Sequence, residues 1–207
     1  RLTHVRVLMM LMRFKPAQMI LVGFVVVVFI GTLLLSLPLA TVSEVHLPFV
    51  DAFFTATSAV CVTGLSVLDI HHTFTLFGEI VILLLIQIGG LGTMSFSALL
   101  ALLFSSHMSG SDSQALQQSF DSYNLNESFD LIKAIFGYTF LFELIGVVLF
   151  YFSWREDFST ALEAIYYSVF HSISAFCNSG FSLFENNLAV YVVDVNVMLI
   201  FSGLIII

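Results

Sequence analysis

Two stretches carry small polar residues around a glycine in an otherwise apolar chain: SAVCVTGLSVLD at 58–69 and SAFCNSGFSLFE at 174–185. With Gly64 set on Gly180, an offset of 180 − 64 = 116, the residues Ser58, Ala59, Cys61, Gly64 and Ser66 match Ser174, Ala175, Cys177, Gly180 and Ser182. Thr63 pairs with Ser179, Leu65 with Phe181, Asp69 with Glu185 and, upstream, Phe54 with Phe170. What such stretches offer a ligand is their backbone. Carbonyl oxygens pointing together into a narrow passage can replace the water shell of a monovalent cation. Presenting them requires backbone shapes that L-residues resist and that glycine adopts without steric cost. A lone glycine among Ser and Thr is more often a helix-packing spot. Two matched stretches argue against that reading.

The surroundings are a membrane protein's. Of 207 residues, 59% are hydrophobic and 10% charged, whereas a soluble surface is typically about 25–35% charged. Lys and Arg total six against a net charge of −8, which excludes a nucleic-acid-binding face. The first apolar run, 17–37, exceeds the roughly 7–15 residues of a secretory core and no convincing cleavage site follows it, so it reads as a span and not a signal peptide. Nothing in the composition or motifs points to an enzyme.

Four spans are expected, each near the roughly 20 residues that cross a bilayer core. They cover about 17–37, 76–104, 131–153 and 195–207, the last still apolar at Ile207. Between the first two spans lies PFVDAFFTATSAV, and between the last two STALEAIYYSVFHSISAF, amphipathic segments too short or too polar to span. Each leads into its glycine stretch, giving re-entrant loops at 48–66 and 160–182. The unit is span, half-helix, glycine segment, span: a first repeat over 1–104, a polar connection over 105–130, and a second repeat over 131–207. Two spans separate the loops, so both enter from the same side, a parallel repeat and not an inverted one. Each half-helix aims the partly negative end of its dipole at its glycine stretch, which suits a cation. Arg1, Arg6, Arg13 and Lys15 precede the first span and set the N-terminus in the cytoplasm. The 105–130 connection should share that side, although it holds no Lys or Arg.

The text DAFFTATSAVCVTGLSVLD, LIQIGGLGTMSFSALL and FHSISAFCNSGFSLFENNL resembles the Trk/Ktr/HKT superfamily of potassium transporters, most closely its bacterial KtrB-type membrane subunits. The resemblance implies an all-α, potassium-channel-like membrane protein built from tandem parallel M1–P–M2 repeats, four to a pore, each with a single filter glycine. By position, the first filter would be Val60, Cys61, Val62, Thr63 and Gly64, and the second Phe176, Cys177, Asn178, Ser179 and Gly180. Backbone oxygens would hold potassium, with sodium a candidate modulator and no cofactor in the chain. The implied assembly is a homodimer in the cytoplasmic membrane, gated by a cytosolic KtrA-like nucleotide-binding ring that takes ATP or ADP. Two loops cannot enclose a four-repeat pore, so the sequence is expected to be the first half of a longer protein.

Other residues admit chemistry less specifically. Glu143 sits mid-span, either as a functional carboxylate or as an acid hydrogen-bonded to a neighbouring helix or to loop backbone. In the first role it would serve an alternative function, a cation symporter with an alternating-access site. A membrane scaffold without transport is the third class. Glu79 is expected at an interface. His71 and His72 are adjacent, so their side chains diverge, and no completing Asp, Glu or Cys set accompanies them. His171 is expected to hydrogen-bond within the second half-helix. Cys61 and Cys177 read as small packed thiols, and Gly89, Gly90 and Gly92 as a close helix contact or bend and not a nucleotide fingerprint.

Overall fold

A computed structural model of the chain describes residues 16–42, 47–105, 125–185 and 187–207. The fold is all-helical, with no strand among the described residues. The basic N-terminal residues and most of the polar connection lie outside the described residues.

Long apolar runs make long helices, and small polar clusters break them. Helix α1 spans Pro16–Leu35. A short 3-10 turn at Pro38–Ala40 redirects the chain. Helix α2, Phe49–Val60, follows Pro48 and carries Asp51 in its first turn, where a carboxylate suits the positive end of the helix dipole. A single turn, α3 at Ile70–Thr73, is capped by the Asp69 carboxylate accepting from the His72 N–H at 3.1 Å. Helix α4 runs Leu76–Ser105.

After the connection come α5, Leu125–Trp154, and α6, Ala161–Phe176. The α6 start reads TALE: Thr160 accepts the Glu163 N–H at 3.2 Å, as in a capping box. A 3-10 segment at Asn187–Tyr191 precedes α7, Val195–Ile206, whose N-cap Asp194 accepts two backbone N–H groups. Helix α5 starts at Leu125, inside the stretch expected to be connection.

The half-helix α2 packs against α1 and α4, and α6 packs between α5 and α7. Helix α4 also touches α5 and α6 and so joins the two halves. An isolated bridge, Thr41 with Phe74, ties the end of the first turn to the start of α4. The α6 side is held by an aromatic cluster. Trp154 stacks on Phe150 at 4.5 Å between ring centroids and meets His171 and Phe184 edge-on at 5.3 Å.

Outward faces are apolar along α1 (Leu21, Val25, Phe29) and α5 (Phe140, Leu144, Phe152). Segments 76–95 and 132–154 are long and apolar enough to cross a membrane. An apolar helix facing outward along most of its length needs lipid for solvent.

Candidate functional site

The two half-helices end in the same way. The N–H groups of Val62 and Thr63 return to the carbonyls of Ala59 and Ser58 at 3.2 and 2.9 Å. Those of Asn178 and Ser179 return to Ala175 and Ser174 at 3.0 and 2.8 Å. This is the paired 5→2 and 6→1 bonding of a Schellman motif, which needs a left-handed residue just past the helix. Val62 and Asn178 fill that position with φ of 54° and 58°. Two residues on, Gly64 and Gly180 turn left-handed again at 75° and 74°.

Each loop therefore reverses its backbone handedness twice within three residues, at positions that share the 116-residue offset. Asn tolerates this region, but Val does not. A β-branched residue held there stores about 1–3 kcal/mol that the surrounding contacts must offset. The Schellman bonds use two of the terminal carbonyls of each half-helix and leave later ones free of intrahelical partners.

The loops meet at their glycines. A Cβ on Gly64 would collide with the Ser179 carbonyl oxygen and lie 3.0 Å from the Gly180 Cα. A Cβ on Gly180 would meet only the Gly64 Cα, at an ordinary 3.4 Å. Of the ten residues singled out by position, the structure brings Gly64, Ser179 and Gly180 into contact. The Val60 carbonyl instead faces Gly89 of α4, and the Cys177 sulfur lies against Gly90. The Gly89–Gly90 pair is thus the seat on which both loop starts rest. Close packing was legible in the sequence there, but not the partners.

Above the glycines lies a cavity of about 200 Å³, lined by Gly64, Ser66, Asp69, Gly180, Ser182 and Glu185 among others. Asp69 and Glu185 are repeat mates. Glu185 also accepts His72 Nε2 at 2.9 Å.

Behind the second loop, His171 is fully buried. Its Nδ1 donates to the Tyr167 carbonyl at 2.8 Å, so Nε2 is the acceptor for the Leu183 N–H at 3.3 Å, with the Ser182 hydroxyl at 3.0 Å. That pattern requires a neutral ring. Cys177 is buried, as expected of a small packed thiol, whereas Cys61 is exposed, against that expectation.

Glu143 is buried on α5. Its carboxylate accepts from Gln87 Nε2 of α4 at 2.8 Å, and its backbone carbonyl accepts from Ser172 Oγ of α6 at 2.7 Å. Glu79, in the first turn of α4, is buried. It accepts from the Tyr166 hydroxyl at 2.6 Å, with His71 Nδ1 at 3.5 Å. Sequence reasoning missed that pair because Tyr166 is 87 residues away. His71 and His72 turn to different acids, Glu79 and Glu185.

Residues 8–207 match the TrkH family of cation transport proteins. The chain belongs to that family. It is 37% identical over 192 residues to the Ktr system potassium uptake protein B of Bacillus subtilis, covering 93% of this chain and 42% of that protein. It is 37% identical over 187 residues to the protein of the same name from Vibrio alginolyticus, covering 90% and 40%. With the potassium/sodium uptake protein NtpJ of Enterococcus hirae, the identity is 34% over 194 residues, covering 94% and 43%. The chain spans about two fifths of the length of these curated relatives. Membership supplies a membrane location and a transporter class, and the superfamily and KtrB-type resemblance read from the loops stands.

Proposed function

We propose that this chain is half of a potassium uptake pore. Two walls of its filter lie within residues 60–64 and 176–180, with one glycine per wall, and Val60, its carbonyl turned to Gly89, backs the first wall. Helices α1, α2 and α4 form a first M1–P–M2 unit, and α5, α6 and α7 a second. The remaining walls come from the part of the protein that the relatives have beyond this length. The protein is multi-pass with a cytoplasmic N-terminus. By the family resemblance it works as a homodimer under a cytosolic nucleotide-binding ring, and the naming of its relatives as protein B of a Ktr system supports a multi-component assembly.

The observation that carries the reading is the doubled left-handed backbone, with φ of 54° and 75° in one loop and 58° and 74° in the other, the loops touching at their glycines. Reversing handedness at alternate residues turns successive carbonyls toward one side, the arrangement a dehydrated alkali ion requires. The half-helix carboxyl ends add negative potential. The acids Asp69 and Glu185 over the glycines raise the local cation concentration.

A second reading is a cation symporter with Glu143 as the coupling carboxylate, favoured only by that acid's depth. Rubidium uptake into liposomes holding the full-length protein separates the two. At a clamped voltage, uptake is expected to be unchanged when the proton gradient is collapsed. Uptake that stops with the gradient favours the symporter, and absence of any uptake defeats both.

A further inference from the structure

The two glycine loops share their backbone bonds but not their side-chain supports. In the second repeat, Ser174 Oγ donates to the Phe181 carbonyl at 2.6 Å and pairs with Ser179 Oγ at 2.8 Å. His171 accepts the Leu183 N–H and pairs with Ser182. The half-helix thus reaches across to its own loop at four points just before and beyond Gly180.

The aligned residues of the first repeat are Ser58, identical to Ser174, and Thr55 in place of His171. Both hydroxyl oxygens are buried and have no partner. Ser66 serves only its own turn, bonding Leu68. The same small turn recurs at Ser182, which accepts the Phe184 N–H at 3.1 Å. What the first repeat lacks is the span from helix to loop.

Resting on the reading of these loops as filter walls, we propose that the walls are unequal. Ser174 and His171 are positioning residues that hold the second wall in the geometry favouring potassium, and the first wall yields to the ion that occupies it. A buried hydroxyl without a partner asks for a reason. Ser58 and Thr55 supply one, as donors in reserve behind a loop that moves. A wall pinned by four bonds resists contracting around the smaller sodium ion, and an unpinned one follows whichever ion enters.

Amide exchange in the full-length protein in lipid nanodiscs tests the inequality directly. In N-methylglucamine, without alkali ions, amides 62–66 are expected to exchange about tenfold or more faster than 178–182, since each lost hydrogen bond is worth roughly that factor. Equal rates overturn the proposal. Adding potassium is expected to slow exchange in both loops. If potassium slows neither while the rate difference persists, the filter reading fails and the unequal support stands.

The same substitution at aligned serines gives the functional test. Ser174→Ala is expected to lower the ratio of apparent potassium to sodium affinity by about tenfold, and Ser58→Ala to leave it within about twofold. Equal losses, or a larger loss from Ser58→Ala, refute the assignment. The ratio is read on matched amounts of folded protein, so general destabilisation does not move it. If Ser174→Ala does not fold, the wild-type exchange comparison decides alone.

Discussion

Alanine at the two loop glycines should act unequally, and the structure sets the order. Both positions have φ near 75°, so an L-residue costs about 1–2 kcal/mol at either site. At Gly180 the added Cβ meets one atom, the Gly64 Cα, at 3.4 Å, and little more is added. At Gly64 it runs into the Ser179 carbonyl oxygen, with the Gly180 Cα at 3.0 Å and the Ser179 carbonyl carbon at 3.2 Å. Those are backbone atoms, which cannot rotate away. Overpacking of that kind adds about 1–3 kcal/mol. Gly64→Ala should therefore cost about 2–5 kcal/mol in total, against about 1–2 kcal/mol for Gly180→Ala. The displaced atom is itself a proposed ion ligand, so selectivity should follow the same order. The assay is rubidium against sodium uptake by the full-length protein in liposomes, with thermal unfolding in potassium run alongside. Gly64→Ser, which needs the same backbone, should behave like Gly64→Ala. Equal effects at the two glycines, or a milder effect at Gly64, would refute the contact geometry.

Gly90→Ala places a Cβ against the Cys177 sulfur and 2.9 Å from its Cβ. Cys177→Ala should recover part of the lost stability, with a coupling of about 0.5–3 kcal/mol in a double-mutant thermal-unfolding cycle, and strict additivity would argue against the contact. Glu143→Gln keeps an acceptor for Gln87 Nε2, so passive rubidium uptake should persist in that variant, and its abolition would revive the symporter. His171 is buried and takes the Leu183 N–H on its Nε2 at 3.3 Å. His171→Phe should leave that N–H without its partner and lower thermal stability by about 1–3 kcal/mol, and an unchanged melting temperature would refute the contact.

Much of the site was legible because repetition marks function more plainly than any single residue. Gly64 and Gly180 announced themselves by their matched neighbours, and the helical runs by their apolar length. The left-handed residue past each half-helix was less visible. Asn178 belongs to a residue type that tolerates the region, whereas Val62 belongs to one that avoids it, so its neighbours and not its own propensity hold it there. The α4 glycines suggested close approach, but a one-dimensional pattern does not say that Val60 and Cys177 are what they approach. Nor did it separate Ser58 from Ser174, identical residues in matching text. Their difference arises in three dimensions, where Ser174 and His171 bond the loop beyond Gly180 and the buried hydroxyls of Ser58 and Thr55 have no partner. Residues 125–130 lie in helix α5, although their sequence reads as connection.

Rubidium bound to the full-length protein, located by its anomalous scattering in crystals grown without other alkali ions, tests the central claim most directly. The account predicts density between the Gly64 and Gly180 loops, displaced by potassium more readily than by sodium. Density beside Glu143, with none between the loops, would contradict it.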